Sequence, residues 1–584
     1  MLSEDILLQV QKPARYIGQE WNISKKDFDQ ANIKFALCFP ELYELGMSNL
    51  GIRILYGILN GIQDVACERF FAPAIEMENI LRQKNLEILS LESQEALREF
   101  DIIGFSLGYE LDYTNVLNIL DLGKIPLVSS LRNQDYPLVI AGGPCALNPE
   151  PMHEFFDFFV IGEAEEAILE IIDLYRKHKE KFKAAKISKK ELLVLFSGIE
   201  GIYVPSLYEV RYDRQGKIKE FKPNQIAVPA RIKKRFVKDL DSAYFPTHWL
   251  VPYLELIHDH ATVELMRGCP NDCLFCQARQ QYYPFRKRKI ENIVKLASGI
   301  SQETGYEEIS LGGLSISDYP DIEKLVRQLS DTFKNKNINI SLPSLKPKNI
   351  LGDISSLIAS VKKTGLTFAP EAATERLRGI LHKDFNIAEF LKAVEKAYAL
   401  GWQRIKLYFM VGIPSEDESD LDAIIKFASE VSNLKKKVNQ RPAWVNLSIN
   451  TLIPKPHTPF QWFKMEDIAS TKHKRDYLKE KIKNPKIKIS FHNCYLSWLE
   501  GIISRGDRRL SPVISSAFTN RARFDAWDEH FVLDKWLEAF RREKIDPDFY
   551  LKRKSPEEIL PWDFLDLGVD KSALLAQLNK TVAL

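Results

Sequence analysis

The chain has 584 residues, of which 45% are hydrophobic and 27% charged, and its formal net charge is +2. This length predicts three or four domains, and the balanced composition excludes both a disordered chain and a globally basic nucleic-acid binder. No apolar run approaches the roughly 20 residues that span a bilayer, and the first residues lack a signal-peptide pattern, so we expect a cytoplasmic protein.

Short apolar runs alternate with helical patterns from residue 33 to about residue 178. The runs are IKFALCF from Ile33, DIIGFSL from Asp101, PLVIAGG from Pro137 and FFDFFVIGE from Phe155. Parallel strands that are covered on both faces consist of such near-continuous apolar runs. Residues 1–178 are therefore predicted to form a doubly wound α/β domain.

Residues 179–246 break this rhythm and are predicted to be a connector. They contain a lysine-rich stretch and the segment YEVRYDRQGKIKEF. Residues 213–216 within this segment have the composition of a turn between two strands. We therefore expect one β-hairpin in the connector.

A second series of strands and helices begins at Thr262 and ends near Asn450. The candidate strands are TVELMRG, EEISLGG, INISLPS, GLTFAP, RIKLYFMVG and AWVNLSIN, with helical stretches at 319–334, 348–364, 372–400 and 416–437. Six such repeats predict a partial (βα)6 TIM-like barrel over residues 247–464. Residues 465–584 are predicted to be a helix-rich region with a further strand at KIKISFHNC.

Three of the seven cysteines lie in the segment MRGCPNDCLFCQAR, at the spacing C-x3-C-x2-C. An odd number of cysteines that crowd together in this way argues against disulfides and for metal binding. Cys269, Cys273 and Cys276 follow the first barrel strand, and the reactive groups of barrels lie at the C-terminal ends of strands. Three thiolates bind three irons of a [4Fe–4S] cubane and leave the fourth iron open for S-adenosylmethionine.

This arrangement predicts an enzyme that reductively cleaves S-adenosylmethionine (SAM) to a 5′-deoxyadenosyl radical and acts on an unidentified substrate. The alternative is a non-catalytic, zinc-stabilised protein that binds RNA or another protein, with His258 or His260 as the fourth zinc ligand. Structural zinc favours pairs of two-ligand knuckles over one tight triplet, so we favour the cluster.

Other strand ends of the barrel carry residues suited to binding SAM. Gly312 and Gly313 follow the second strand, where glycine lets backbone carbonyls approach an amino group closely. Ser344 and Glu371 follow the third and fourth strands and offer hydrogen bonds to ribose or amino groups. Gly412 follows the fifth strand and leaves room for adenine. Each also fits an ordinary turn or helix cap, so the prediction depends on their convergence at one rim.

With these motifs the barrel resembles the radical SAM superfamily, in which the C-x3-C-x2-C loop, a Gly-Gly-Glu-like second strand end and a Gly-x-Pro-like fifth strand end recur. Leu314 replaces the glutamate here. Most of the chain, from PARYIGQEWN to SWLEGIISRGDRR, resembles an uncharacterised radical SAM family with its own N-terminal domain. The resemblance implies an electron donor of the flavodoxin or ferredoxin type. Members are often fused or adjacent to a further domain, so we expect a separate partner protein.

The doubly wound domain ahead of the barrel resembles the B12-binding class of these enzymes. The residues that correspond to the cobalamin-binding loops of that class are Glu41, Tyr43, Gly46, Ser106, Gly142 and Gly143. Tyr43 replaces the histidine that ligates cobalt, and a phenol is a poor cobalt ligand. The resemblance leaves open both cobalamin-assisted methylation and a degenerate domain that binds no corrinoid.

The resemblance also leaves open that the chain modifies RNA or a small molecule in a reaction similar to that of methylthiotransferases. Two features of the sequence are relevant to this alternative. The segment YYPFRKRK at residues 282–289 mixes aromatic and basic residues, as an RNA contact does, although a solvated loop is the favoured interpretation. A methylthiotransferase needs a second cluster with three cysteines. Cys38, Cys67 and Cys145 form no such motif, because they are spaced 29 and 78 residues apart. We interpret them as buried core residues.

Overall fold

The computed structural model describes residues 2–343, 346–351 and 365–582, which form two compact units. The first unit contains the residues up to Asp259, together with Ile502–Tyr550 and Glu557–Gly568. The second unit contains His260–Gly501, Leu551–Pro556 and the residues from Val569. Much of the C-terminal helix-rich region is therefore built into the first unit rather than forming a unit of its own.

A six-stranded sheet of order β2-β1-β3-β4-β5-β6 forms the centre of the first unit. Its strands are β1 (Ile33–Phe39), β2 (Val65–Phe71), β3 (Ile102–Ser106), β4 (Leu138–Gly142), β5 (Phe158–Val160) and β6 (Ile202–Tyr203). The first five are parallel and β6 is antiparallel. The strands predicted from the sequence are β1, β3, β4 and β5, and the doubly wound α/β fold is confirmed.

The strand β2 is absent from the sequence prediction because charged residues interrupt its apolar run. Its seven residues VACERFF are all buried, including Glu68 and Arg69. The Arg69 guanidinium forms ion pairs with Glu20 at 2.8 Å and with Glu92 at 2.6 Å. A buried charge is tolerated when it is paired in this way, and pairing partners distant in sequence give no local signal.

Helices and a hairpin complete the first unit. The helices span Glu4–Leu7, Tyr43–Ser48, Leu50–Gly61, Ile75–Gln83, Tyr113–Leu122, Ala167–Lys183, Lys189–Phe196, Leu510–Thr519, Leu533–Arg542 and Asp548–Leu551. The predicted hairpin is confirmed as β7 (Tyr208–Tyr212) paired antiparallel with β8 (Ile218–Pro223). A short parallel pair joins β9 (Ile232–Lys233) to β19 (Leu565–Asp566), so the C-terminal region also contributes a strand to this unit.

The second unit contains two parallel ladders in the part of the chain that the structure describes, β10-β13-β14 and β15-β16-β17-β18. Their strands are β10 (Ala261–Glu264), β13 (Glu308–Gly312), β14 (Asn339–Ser341), β15 (Leu366–Glu371), β16 (Arg404–Val411), β17 (Trp444–Thr451) and β18 (Ile487–Phe491). These strands confirm the six predicted for the barrel and the further one at KIKISFHNC. A short antiparallel ladder also pairs β11 (Met266–Arg267) with β12 (Arg286–Lys287).

Helices follow most of these strands. They span Gln277–Gln281, Ile290–Thr304, Ile322–Phe333, Pro347–Leu351, Glu375–Leu381, Ile387–Ala399, Glu418–Leu434, Lys436–Asn439, Ile468–Lys481, Cys494–Ser504 and Lys571–Val582. Most of the helix predicted at 348–364 lies outside the described residues. No helix among the residues described is both long enough and apolar enough to cross a membrane.

Candidate active site

The cysteine loop, residues 268–285, leaves the end of the first strand of the second unit. The β11–β12 ladder joins the two ends of this loop at its base. At Gly268 the backbone has φ +80°, and a Cβ would lie 2.9 Å from the Tyr282 carbonyl oxygen and 2.9 Å from the Phe285 Cα. Only glycine fits this approach. The base of the loop is therefore rigid, and the loop presents its three cysteines at the predicted C-terminal strand end.

Cys269, Cys273 and Cys276 are each half-buried. Burial raises the pKa of the Cys273 thiol to about 11, although the positive charge of Lys383 acts in the opposite direction. Burial also raises the pKa of Cys276. Metal ligation requires the thiolate, so metal binding at this loop must displace protons.

The spacing of the thiols bears on which metal group they fit. Within residues 2–343, 346–351 and 365–582, no three Cys, His, Asp or Glu side chains are gathered closely enough to hold a single metal ion. Structural zinc requires all its ligands within about 2.0–2.3 Å of one ion. Thiolates on a cubane bind different irons and stand further apart. Three cysteine thiols on one loop match the three irons of a cubane that take protein ligands.

The two glycines at the end of β13 lie beside the strand that leads into the cysteine loop. The Gly312 carbonyl accepts a hydrogen bond from the Leu265 N–H at 2.9 Å. A Cβ on Gly313 would lie 3.1 Å from the Met266 Cγ, three residues before Cys269. Gly312 is half-buried and Gly313 is exposed. The structure thus brings the predicted glycine pair next to the base of the cysteine loop.

Glu371 ends β15 at an irregularity of the ladder and has φ +66°. Its carboxylate lies 3.4 Å from the Lys383 ammonium, and both side chains are partly exposed. Burial raises the pKa of Glu371, while the charge of Lys383 opposes this shift. The charges of Lys383 and Glu371 both act on the pKa of the Cys273 thiol, Lys383 lowering it and Glu371 raising it.

Lys383 was not predicted from the sequence, and the end of a helix determines its position. The helix Glu375–Leu381 ends at His382, which has the left-handed φ of +50°, and the Lys383 N–H donates to the Arg378 carbonyl. The Leu381 carbonyl in turn accepts a hydrogen bond from Leu274 in the cysteine loop at 3.1 Å. A basic residue directly after a helix end was the available sequence signal.

A polar network surrounds Asn271, which lies between Cys269 and Cys273. Its amide nitrogen lies 3.2 Å from the Cys269 Sγ and 2.9 Å from an Asp318 carboxylate oxygen. The Lys346 ammonium contacts both Asn271 and Asp318. Burial acts to raise the pKa of Asp318, but hydrogen bonds from Lys346 and Asn271 hold it well below its usual range. None of these three residues was predicted from the sequence.

Among the described residues, no contact brings the predicted Gly412 to the cysteine loop. Gly412 ends β16 with φ +84°, and its N–H donates to Glu416 at 2.8 Å. A Cβ there would lie 3.0 Å from a carboxylate oxygen of Glu466. Ser344 lies outside the described residues.

The predicted cobalamin residues after β1 are engaged within the first unit. The Tyr43 hydroxyl donates to Glu20 at 2.9 Å, and the side chain is only 2% exposed. Glu41 is buried and accepts a hydrogen bond from the Trp527 indole at 2.9 Å. A Cβ on Gly46 would lie 2.1 Å from the Phe71 ring. Neither the phenol nor the carboxylate is therefore directed toward an open crevice.

The remaining predicted cobalamin residues lie at the ends of β3 and β4. Ser106, Gly142 and Gly143 are half-buried. The Leu107 N–H donates to the Gly142 carbonyl at 2.8 Å, which joins the two strand ends. Gly143 has φ +100°, and a Cβ there would lie 2.8 Å from the Leu107 carbonyl oxygen. Gly143 thus accommodates the chain's own backbone.

The strand order reverses between β1 and β3, and ligands of doubly wound sheets bind at such a switch point. Here residues 522–527 of the same unit lie against the loop that follows β1 and the helix Tyr113–Leu122 that follows β3. Asn115 donates to the Pro40 carbonyl and accepts from the Phe524 N–H, each at 2.9 Å. Thr114 donates to Asp525 at 2.8 Å. The groups at this switch point do not fit a corrinoid, because they bind the C-terminal segment instead.

The burial of the other cysteines and of the basic segment at residues 282–289 bears on the roles predicted for them. Cys38 and Cys67 lie within β1 and β2, and with Cys145 they are buried, which confirms their interpretation as core residues. Arg286 and Arg288 of the YYPFRKRK segment are also buried. Lys287 and Lys289 are exposed, so two of the four basic residues of the segment face solvent.

The fold and the site define an α/β protein with a three-cysteine loop at a parallel strand end. Residues 263–428 match the family described as the radical SAM superfamily, and residues 51–205 match that described as radical SAM proteins, N-terminal. The chain belongs to the radical SAM superfamily. It is an enzyme whose cofactors are a [4Fe–4S] cluster and SAM, and it requires a reductant and a substrate.

Similar proteins extend over most of the chain. An uncharacterized protein of Methanocaldococcus jannaschii is 29% identical over 86% of this chain and 96% of its own length. An uncharacterized methyltransferase of Pyrococcus horikoshii is 24% identical over 57% of this chain and 64% of its own. Among solved structures, the radical SAM methyltransferase TsrM from Kitasatospora setae, with cobalamin and a [4Fe–4S] cluster bound, is 12% identical, with a TM-score of 0.47 over 74% of each chain.

Proposed function

We propose that Cys269, Cys273 and Cys276 hold the cluster and that SAM binds beside Cys273, where the chain generates a radical that abstracts hydrogen from its substrate. The observation that carries this proposal is the Glu371–Lys383 pair at a helix end that contacts the cysteine loop, where the Leu274 N–H donates to the Leu381 carbonyl at 3.1 Å. The charges of this pair also act on the Cys273 thiol. A cation and a carboxylate at one thiol are complementary to the carboxylate and the ammonium of SAM.

Each residue has a defined part in this proposal. When bound, the cluster supplies the electron that cleaves SAM. Lys383 donates to the carboxylate of SAM and Glu371 accepts from its ammonium, while the carbonyls of Gly312 and Gly313 accept further amino hydrogens. Gly412, at the end of β16, and Ser344, outside the described residues, stay proposed for adenine and ribose. These groups orient SAM, so the radical forms at a fixed position.

The test is formation of 5′-deoxyadenosine by the anaerobically reconstituted full-length protein. Wild-type protein is expected to bind about four irons per chain and to form the product after reduction with SAM present. Cys273→Ala is expected to lower product formation by at least about 100-fold, because one iron loses its ligand. Cys494→Ala is the matched control, since Cys494 is a buried cysteine of the same unit. Zinc in place of iron, without product, would overturn the proposal.

The positions of the other cysteines favour a reaction with one cluster. A methylthiotransferase needs three further cysteines for a second cluster, and Cys38, Cys67 and Cys145 are core residues of the first unit. Burial raises the pKa of Cys38 and Cys67 well above the ordinary value, which disfavours the thiolates that ligate iron. We therefore expect about four irons per chain rather than eight.

The switch point of the first unit supports a reaction without cobalamin there. Trp527 and Phe524 engage the residues that would face a corrinoid, and Tyr43 is hydrogen-bonded to Glu20. Full-length protein incubated with hydroxocobalamin and passed through gel filtration is expected to elute without corrinoid absorbance. Stoichiometric co-elution would show instead that residues 522–527 are displaced by cobalamin, and it would favour cobalamin-assisted methylation as the reaction.

The partners and the compartment follow from this chemistry. A low-potential electron donor of the flavodoxin or ferredoxin type fits a cluster that cleaves SAM, and a separate partner protein stays part of the proposal. Free cysteines and an oxygen-sensitive cluster suit the cytoplasm. The burial of Arg286 and Arg288 gives no support to an RNA contact by residues 282–289.

A further inference from the structure

Asn271 stands inside the cysteine loop with a side chain aimed at a predicted cluster ligand. Its Nδ2 lies 3.2 Å from the Cys269 Sγ, 2.9 Å from an Asp318 carboxylate oxygen and 3.4 Å from the Ser315 hydroxyl. A carboxamide has two N–H donors. The closer carboxylate takes one of them, which leaves the other for the sulfur or the hydroxyl.

The orientation of this carboxamide is determined by charges on both sides. The Lys346 ammonium donates to the Asn271 Oδ1 at 2.9 Å and pairs with Asp318 at 2.7 Å. A flipped amide would place its NH2 against the ammonium and its oxygen against the carboxylate, so the arrangement excludes it. An N–H, and not the carbonyl oxygen, therefore faces Cys269.

Other contacts hold the two charged residues themselves. The Ser315 hydroxyl donates to Asp318 at 2.7 Å, and the Lys346 N–H donates to the Ser317 hydroxyl at 2.6 Å. Asp318 is 11% exposed and Lys346 is 28% exposed, so water competes little for the pair. The loop after β13 and the chain after β14 thus hold Asn271 in place from outside the cysteine loop.

We propose that Asn271 is a positioning residue that donates a hydrogen bond to the Cys269 thiolate and thereby raises the reduction potential of the cluster, with Asp318 and Lys346 as its clamp. This inference rests on the proposed function, because it requires Cys269 to be an iron ligand. An N–H···S hydrogen bond stabilises the more negative, reduced cluster more than the oxidised one. The clamp therefore makes the cluster easier to reduce.

The test is an EPR-monitored redox titration of the full-length, anaerobically reconstituted protein. Asn271→Leu keeps the side-chain size but removes both donors. At a fixed solution potential its ratio of reduced to oxidised cluster is expected to fall about tenfold, a shift of about 59 mV for one electron. The iron content is expected to stay at the wild-type value, since no ligand is removed.

Two further variants separate this effect from general charge or stability. Asp318→Asn breaks the pair with Lys346 and loosens Asn271, which acts to lower the potential, whereas the lost negative charge acts to raise it. We expect the first effect to dominate, so that the potential falls by less than in Asn271→Leu. Asp272→Asn is the matched control, because Asp272 is in the same loop and exposed and pairs with Arg279 instead. Loss of its negative charge is expected to leave the potential unchanged or to raise it slightly.

The outcomes distinguish the two levels of the proposal. Failure of the wild-type protein to assemble any iron–sulfur cluster overturns the proposed function itself. A normal wild-type cluster with an unchanged potential in Asn271→Leu overturns only the role of Asn271. If Asn271→Leu loses its iron, Asp318→Asn decides, with a lowered potential supporting the clamp and an unchanged or raised potential rejecting it.

Discussion

Two parallel sheets of this chain present the ends of their strands in opposite ways. At the switch point of the first unit, residues 522–527 lie against the loop after β1 and the helix after β3, and Asn115 and Phe524 are buried there. At the strand ends of the second unit, the three cysteines stay half-exposed and Gly313 is exposed. The same kind of strand end serves packing in one unit and carries the proposed reactive site in the other.

The comparison shows that a doubly wound sheet does not by itself specify a ligand. The first unit keeps the strand order and the switch point, but its polar groups are satisfied by the chain's own C-terminal segment. In the second unit, the Glu371–Lys383 pair stays partly exposed near the cysteine loop, whose two ends are joined by the β11–β12 ladder. We call the switch point of the first unit the first edge, and the strand ends of the second unit that adjoin the cysteine loop the second edge. Substitutions at the first edge are therefore expected to change stability, and those at the second edge to change ligand binding.

The largest expected effect is on the first edge, from Phe524→Ala. Phe524 is 2% exposed, so removing the ring is expected to destabilise the first unit by about 3–5 kcal/mol. Urea unfolding combined with hydrogen exchange of the first unit measures this loss. Ile226→Ala, at a fully exposed position of the same unit, is the control and is expected to change stability by less than about 0.5 kcal/mol. Equal effects of both would show that the edge is not packed shut.

The pH dependence of the stability of the first unit is a second test of this comparison. Burial raises the pKa of Glu41 to about 7 and that of Asp525 to about 6. Both pKa values are raised above those of the unfolded chain, so their stabilising contribution is present at low pH and is lost as the pH rises through about 6–7. Each carboxyl contributes about 3 kcal/mol to this decrease in the free energy of unfolding.

Urea unfolding at pH 5 and pH 8 measures this loss. Glu41→Gln cannot ionise and is expected to lose less stability than the wild type between the two pH values. An identical pH dependence of the variant and the wild type would mean that Glu41 is not held as a buried acid.

At the second edge, Lys383→Met is expected to weaken SAM binding by about 10- to 100-fold, the loss of one hydrogen bond to a charged group. The urea midpoint is expected to stay near that of the wild type, because Lys383 is partly exposed. Anaerobic equilibrium binding of SAM measures the affinity, and Lys383→Arg, which keeps the charge, is expected to retain most of it. Unchanged affinity in Lys383→Met would remove this residue from the site.

The smallest effects come from a matched pair of glycines, one at each edge. Gly143→Ala places a Cβ 2.8 Å from a carbonyl oxygen at φ +100° and is expected to cost about 1–3 kcal/mol of stability. Gly313→Ala meets only the flexible Met266 side chain and is expected to change stability by about 0.5 kcal/mol or less. Thermal unfolding of the two variants compares them, and the reverse order would contradict the assignment of the two edges.

Much of the fold was predictable because its signals are local. Apolar runs predicted β1, β3, β4 and β5 and the seven parallel strands of the second unit, whereas β2 escaped because buried charges break its run. In the candidate site the cysteines were predictable from their spacing. Asn271 carried a weak signal, since it lies within the cysteine loop, but nothing near it in sequence indicates Asp318 or Lys346.

The class of the protein is readable from the amino-acid order alone, because three cysteines within eight residues and a run of alternating strands and helices are encoded over short stretches. Which strand ends are closed and which are open depends on the packing of the folded chain. The Trp527–Glu41 hydrogen bond joins residues 486 positions apart, and the Lys346–Asn271 bond joins residues 75 positions apart. Such contacts form only when the packing of whole units brings distant segments together, so no local pattern contains them.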